Sequence, residues 1–238
     1  MSQFTTRQVC YFWRQGRHNL PTTIDLVARR ALEGGIKRVV VFTADGEGPV
    51  RLADSLSGSG VSIIAVTFSH GQVVRVGEGD AASEARPPAV SEEVKALLAS
   101  RNIPLVSAHV PFHEIILPGT RDSKLLAIRH VLSMFGIGMR ICVQAVLMAT
   151  DAGHVDPLEE VISMSADTAI VATGCPTYLL FHPEKGLQVK EVICKPLQRD
   201  AVGTREPNPK TEENGRQEAT PDQGEPCTSN DLLDGAPN

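Results

Sequence analysis

Long apolar runs and aromatic side chains are both scarce in this sequence, and the lack of long apolar runs argues against a membrane-spanning protein. Only 4% of the 238 residues are aromatic. The most apolar stretch, residues 141–150, is shorter than the ~20 residues that cross a bilayer, and it contains Gln144. The first residues hold no apolar run typical of a signal peptide. We therefore expect no membrane partner and a cytoplasmic location.

Cysteine pairs with the spacing of metal or redox motifs are also missing. The five cysteines are widely separated, no CxxC occurs, and their number is odd. Such a pattern favours reduced thiols over a disulfide framework. The cysteines are Cys10, Cys142, Cys175, Cys194 and Cys227. Cys175 follows a predicted strand without an evident activating base, so we interpret it as an inert thiol.

An excess of basic charge is absent from the body of the chain. Residues 199–238 hold four basic and nine acidic residues, which account for the whole net charge of −5. The 19 basic and 19 acidic residues that remain balance, so no basic field for nucleic acid is expected. Only seven of the last 40 residues are apolar or cysteine. We predict a single domain over residues 1–198 and a disordered acidic tail over 199–238.

What the sequence does contain is an alternation of buried strands and amphipathic helices. A helix capped by Thr22 or Thr23 is predicted to end at Gly34–Gly35. Further helices are predicted at 49–57 and from Ser91 onward. A long helical region is predicted over about 122–152, with a kink or break at Gly136 and Gly138. A long loop is predicted over 69–90. Strands are predicted at 9–13, 38–43, 61–68, 103–108, 160–165, 169–174 and 189–196. This alternation indicates an α/β fold with a mostly parallel sheet and helices on both faces. The last strands follow one another too closely for helical crossovers, so at least one is expected to be antiparallel.

Five segments in a fixed order carry a family resemblance. They are GIKRVVVFTADGEG, VSIIAVTFSHG, FGIGMRICVQAVLMATDAG, EEVISMSADTAIV and VKEVICKP. Together they resemble the C-terminal α/β domain of pyruvate kinase, and more closely its stand-alone relatives without the catalytic barrel. The resemblance implies a domain without pyruvate kinase activity that binds a phosphorylated metabolite or flavin mononucleotide (FMN) and contributes to subunit contacts, as in a homo-oligomer. Whether the chain is an enzyme, flavin-dependent or otherwise, or an oligomerisation or regulatory module without a ligand stays open.

The predicted ligand site lies beyond the carboxyl ends of the strands, where ligands of open α/β sheets bind. Its residues are Thr43, Asp45, Gly46, Thr67, His70, Ser107 and His109. No catalytic residue is assigned. The loop 43–49 is placed where a phosphate-binding turn would lie. It could equally be an ordinary strand-to-helix turn, because Asp45 and Glu47 would repel a phosphate unless a cation intervened.

Two further features bear on the site. The turn at 163–168 is shorter than the resemblance implies, which would alter a ligand site there. Asp167 is expected to make turn or cap hydrogen bonds. His109 and His113 are spaced four apart, but Pro111 between them disfavours the regular helix that a zinc pair would need. No metal site is therefore predicted. The GxSxG, Walker and GxGxxG motifs are absent from the sequence, so the usual signals for hydrolase, phosphotransfer and dehydrogenase chemistry are missing.

Overall fold

The structure is a computed structural model that describes residues 4–72, 74–76, 83–85, 90–112 and 123–197. The predicted tail, 199–238, lies outside these residues. Within them the chain forms five α-helices and nine strands. In chain order these are β1 Cys10–Phe12, α1 Leu20–Gly34, β2 Arg38–Phe42, α2 Glu47–Ser55, β3 Ser62–Phe68, β4 Val74–Val76, β5 Ser83–Ala85, α3 Glu92–Ser100, β6 Leu105–Ala108, α4 Ser123–Ser133, α5 Ile137–Asp151, β7 Glu160–Met164, β8 Ala169–Thr173 and β9 Val189–Pro196.

The main sheet of the described residues has seven strands in the order β1-β9-β8-β7-β2-β3-β6. β1 pairs with β9, β2 with β3 and β7, and β3 with β6, all in parallel. β8 alone runs against its neighbours β7 and β9. The mostly parallel sheet with an antiparallel strand near the carboxyl end is therefore confirmed. From β2 the chain first adds β3 and β6 on one side of the sheet, and it later adds β7 on the other side of β2. The strand order therefore reverses between β2 and β7, which form the switch point of the sheet.

Helices cover both faces of this sheet, and each face has its own apolar core. α1, α2 and α3 pack with alternate strand residues such as Val39 and Val41 on one face. α5 packs with the intervening residues, such as Val40, on the other. Because β2 is covered on both sides, its three valines are at most 1% exposed. The uninterrupted apolar strands of the sequence are a direct result of this double coverage.

The first helix starts earlier than the sequence analysis predicts. α1 begins at Leu20 after Asn19, so the expected cap at Thr22 or Thr23 is wrong. Pro21 fits the first turn because its missing N–H needs no partner there. Thr23 lies buried within the helix instead, where its hydroxyl donates to the carbonyls of Asn19 and Ala166. The predicted end is confirmed, since Gly35 adopts a left-handed conformation with φ of 65°.

Two other segments test the sequence predictions. α3 starts directly after Ser91, in line with the expected helix start, and Ser91 caps it, because its hydroxyl accepts a hydrogen bond from the backbone N–H of Val94. The segment predicted as one long loop over 69–90 contains β4 and β5, which pair antiparallel as a small separate ribbon. The loop prediction is therefore wrong at those strands. Three-residue strands carry too little periodicity to be distinguished from loop in a Gly-rich sequence.

The long helical region divides in two, as its glycines indicate. α4 ends at Ser133 and α5 begins at Ile137, after Gly136 with φ of 115°. Eleven of the fifteen residues of α5 are buried, so this helix forms the centre of its layer. No described helix is long and apolar enough to cross a membrane.

Candidate functional site

The strands that precede the predicted site residues are neighbours, as the sequence analysis required. β2, β3 and β6 lie side by side, and Thr67 pairs in register with Ser107. The Thr43 backbone N–H continues the β2–β3 pairing by donating to the Val66 carbonyl at 2.9 Å. The carboxyl ends of the three strands therefore meet at one edge of the sheet.

The loop after β2 uses its own polar groups to close the turn into α2. Thr43 is 6% exposed, and its Oγ1 accepts the Gly46 N–H at 2.8 Å. The Asp45 Oδ1 atom accepts the Glu47 N–H at 3.1 Å. Gly46 has φ of 82°, and a β-carbon there would lie 2.2 Å from Val94 Cγ1, so the position demands glycine. Donors that a phosphate loop would present to a ligand are thus engaged within the loop, and this geometry favours the ordinary strand-to-helix turn.

The two carboxylates of this loop are paired with a cation that the sequence analysis did not assign. Arg17, in the short 3-10 helix after β1, makes ion pairs with both Asp45 and Glu47. Arg51 also pairs with Glu47, at 2.9 Å. The four side chains balance in charge and tie the loop after β1 to the start of α2.

These contacts set the ionisation of both acids. Partial burial opposes ionisation of Asp45, but hydrogen bonds from Arg17 and from the Glu47 N–H, with the Arg17 charge, outweigh it and lower the pKa of Asp45. Hydrogen bonds from Arg17 and then Arg51 lower the pKa of Glu47. Because both pKa values are depressed in the folded state, the stabilisation is complete above the unfolded pKa of about 4 and is lost as pH falls through the folded values.

We expect Arg17→Met to raise the pKa of both Asp45 and Glu47 toward ordinary carboxyl values. The reason is that the substitution removes the shared cation while keeping an unbranched side chain. Carboxyl carbon chemical shifts, followed by NMR as a function of pH, measure the two titrations separately. Since the groups are about one-third exposed or more, the change in unfolding free energy should stay within about 1 kcal/mol.

Arg51→Met is the matched control for this experiment, because Arg51 pairs with Glu47 and not with Asp45. It should raise the pKa of Glu47 and leave that of Asp45 unchanged. An unchanged pKa of Asp45 in Arg17→Met would contradict the shared-cation arrangement.

The remaining predicted residues lie at the β3 and β6 ends of the same edge. Ser107 donates from its Oγ to the Phe68 carbonyl at 2.7 Å, so it joins the two strand ends. His70 and His109 follow these strands and are exposed. Thr67 is buried at 5% exposure. His113, the other member of the histidine pair, lies outside the described residues.

A cavity of about 280 Å³ lies at the other half of this edge, among the carboxyl ends of β1, β7 and β9 and the start of α5. Arg17 and Lys195 lie in its wall, together with Asp167. Gly136, Ile137 and Gly138 bring the first turn of α5 to it, and Phe135 and Ile141 add apolar surface. Its lining is Gln15, Gly16, Arg17, Met134, Phe135, Gly136, Ile137, Gly138, Ile141, Ser165, Ala166, Asp167, Lys195, Pro196 and Leu197.

Asp167, the only acid in that lining, is held by bonds within the fold. Its Oδ2 accepts the Gly16 N–H at 2.8 Å, and its Oδ1 accepts the Thr168 hydroxyl at 3.0 Å. Turn bonding by Asp167 is thus confirmed, with Gly16 as an additional tertiary donor. The bond to Gly16 fastens the loop that carries Arg17 to the turn between β7 and β8.

Lys195 is placed differently from Arg17. No carboxylate pairs with its ammonium group in the part of the chain that the structure describes; the Nζ atom donates to the Pro196 carbonyl at 3.1 Å and lies 5.9 Å from the centre of the Tyr11 ring. With Arg17, Lys195 and Asp167 the lining carries one net positive charge. The first turn of α5 adds the partial positive charge of a helix amino end.

Close packing joins α5 to the β7–β8 turn at the floor of this cavity. A β-carbon at Gly138 would lie 2.1 Å from Thr168 Oγ1 and 2.9 Å from Asp167 Oδ1. Ser165 is 7% exposed, and its Oγ makes no hydrogen bond within the described residues. Burial raises the pKa of the nearby Cys142 thiol.

Arg17, Lys195 and the start of α5 are not among the site residues predicted from the sequence. Gly136 and Gly138 predict a break in the helix, and hence a new helix start. That helix start was the signal from which this part of the site could have been predicted. The position of β1 beside β9, which brings Arg17 near Lys195, joins opposite ends of the domain and left no local signature. No protein-family model matches the chain.

Proposed function

We propose that this chain is a small-molecule-binding α/β domain, without pyruvate kinase activity, whose ligand is a compact phosphorylated metabolite. The observation that carries the proposal is the cavity that brings Lys195, Arg17 and the start of α5 together. It lies beside the β2–β7 switch point, at the carboxyl edge where ligands of open α/β sheets bind.

The charge of the lining supports an anionic ligand. Lys195 supplies a cation without a carboxylate partner among the described residues, and the first turn of α5 presents backbone N–H groups. Helix amino ends bind phosphate because these N–H groups and the helix dipole act together. Arg17 contributes less, since Asp45 and Glu47 already neutralise it.

The size of the cavity separates the two ligands that the family resemblance implies. About 280 Å³ is at or below the lower limit of typical ligand pockets, roughly 300–1,000 Å³. A phosphorylated metabolite of a few carbons fits that volume better than FMN, whose three-ring flavin and phosphate chain would extend beyond it. The apolar side chains Phe135 and Ile141 suit the carbon skeleton of such a metabolite.

The binding test is a thermal-unfolding screen of the full chain with small phosphorylated metabolites, inorganic phosphate and FMN. A ligand present at 100 times its Kd should stabilise the native state by about 2.7 kcal/mol. We expect a compact phosphate ester to raise the Tm and FMN to have little effect. A visible absorption spectrum of the freshly purified protein tests separately for retained flavin.

Lys195→Gln identifies the site, because it should weaken binding by at least about tenfold through loss of a charged hydrogen-bond donor. Lys190→Gln is its matched control on the same strand, where Lys190 pairs with Glu160 at the surface. If His70→Ala or His109→Ala abolished binding and Lys195→Gln did not, the ligand would lie at the β3–β6 ends instead. The absence of stabilisation by every compound would contradict the proposal.

A further inference from the structure

Two cysteines lie opposite each other across the edge of the main sheet. Cys10 of β1 and Cys194 of β9 are register partners in a parallel pair. Neighbouring strands lie about 4.8 Å apart, and a disulfide requires Cα atoms separated by about 4.4–6.8 Å. Backbone spacing therefore permits a bond between these residues without moving either strand.

The two side chains also point the same way. Register partners in a sheet project from the same face, and both cysteines pack into the core between the sheet and α1. Both are free thiols in the structure. A disulfide also requires that the two Cα–Cβ bonds do not point apart, and this pair meets that requirement.

Accessibility gives the two thiols different roles. Cys10 is partly exposed, whereas Cys194 is buried with its Sγ 4.0 Å from Thr23 Oγ1. An oxidant in solution can reach Cys10 first. Cys194 then lies behind it as the second thiol, held in place by the strand.

We propose that Cys10 and Cys194 form a reversible disulfide, with a low-molecular-weight disulfide such as glutathione disulfide as the oxidant. The Cys10 thiolate attacks one glutathione sulfur, which forms a mixed disulfide and releases one glutathione thiolate. Cys194 then loses its proton to solvent and attacks the Cys10 sulfur, which releases the second glutathione thiolate. Two protein thiols are oxidised and one glutathione disulfide is reduced to two thiols.

The second step should depend strongly on pH. Burial raises the pKa of the Cys194 thiol to about 12, and the titratable groups that act on it are Cys10, Cys142 and Asp167. Its thiolate fraction at neutral pH is therefore very small. As long as the pH is below this pKa, the fraction increases about tenfold for each unit by which the pH rises. Closure of the bond should accelerate correspondingly as pH rises.

Such a bond would fasten the edge strand to the sheet. β1 leads to Gly16 and Arg17, and β9 leads to Lys195, so the oxidised form would fix two walls of the cavity to one another. Disulfide formation is measured without any ligand, so its outcome does not depend on the proposed function.

The test uses the full chain with Cys227→Ser, which removes the thiol outside the described residues. The folded protein is treated with glutathione disulfide, free thiols are alkylated, and peptides are mapped by mass spectrometry. We expect a peptide pair joined through Cys10 and Cys194, with two hydrogens lost, that reverts under a reducing thiol. A glutathione adduct on Cys10 without closure, even at raised pH, would overturn the proposal, as would no reaction.

Variants separate the two steps. Cys194→Ser should trap glutathione on Cys10, and Cys194→Ala repeats this without a buried hydroxyl. Cys10→Ser should leave Cys194 unmodified, whereas Cys175→Ser should not change the cross-link. Rapid modification of Cys194 in Cys10→Ser, with circular dichroism confirming the native fold, would overturn the order of reaction.

Discussion

Replacing Leu147 by alanine is expected to destabilise the domain by about 2–5 kcal/mol, the range for deleting a buried leucine side chain. Leu147 is 0% exposed and lies in the core between α5 and the sheet. Because α5 contacts β2, β7 and β8, a cavity at this residue affects the centre of the fold. Typical domains are stable by only about 5–15 kcal/mol, so the loss is a large part of the total.

Urea denaturation followed by circular dichroism measures this effect, with the midpoint falling while the slope stays constant. Leu32→Ala is the matched control, since Leu32 is also helical but 58% exposed. Its effect should remain within about 0.5 kcal/mol. Equal destabilisation by the two variants would contradict the assignment of α5 as the centre of its layer.

Gly138→Ala is expected to destabilise the domain by about 1–3 kcal/mol, the usual cost of overpacking. The added methyl group would lie 2.5 Å from the Thr168 β-carbon, and Thr168 is 0% exposed and has no room to yield. In an unconstrained helix the same substitution would stabilise by about 1 kcal/mol. The sign of the measured change therefore distinguishes steric conflict from helix propensity.

A double-mutant cycle with Thr168→Gly attributes the effect to this contact. Thr168→Gly is destabilising by itself, but Gly138→Ala should cost less in its presence, which gives a favourable coupling energy. Additive effects would show that the methyl group is accommodated elsewhere. Because Gly138 also lines the cavity, Gly138→Ala should weaken ligand binding in the thermal-unfolding screen as well.

The fold could be predicted to a large extent because its strands are buried on both faces. Val39, Val40 and Val41 form a run without alternation, which a parallel sheet with two helical layers requires. The break at Gly136 was equally readable, because glycine both leaves the helix and permits φ of 115°. The cap prediction at Thr23 was wrong. Its hydroxyl is typical of a capping residue, but Thr23 is buried inside α1, where the hydroxyl donates to the Asn19 carbonyl.

The site was harder to predict because its charges are arranged by distant pairing. Asp45 and Glu47 were expected to repel a phosphate unless a cation intervened, and the cation that pairs with them, Arg17, lies about thirty residues earlier and follows a three-residue strand. Lys195 reaches the same region only because β9 pairs with β1. Such contacts between residues far apart in the chain cannot be predicted from sequence spacing, because they depend on the order of the strands in the sheet.

The pairing of β1 with β9 also constrains how the protein is made. Among the described residues β9 is the only strand partner of β1, and it is the last of the described strands to be synthesised. The β7–β8–β9 meander is built from strands that follow one another, so it closes short loops, while β1 must find a partner nearly a whole domain away. During synthesis on a ribosome we therefore expect β1 to stay unpaired until β9 has emerged.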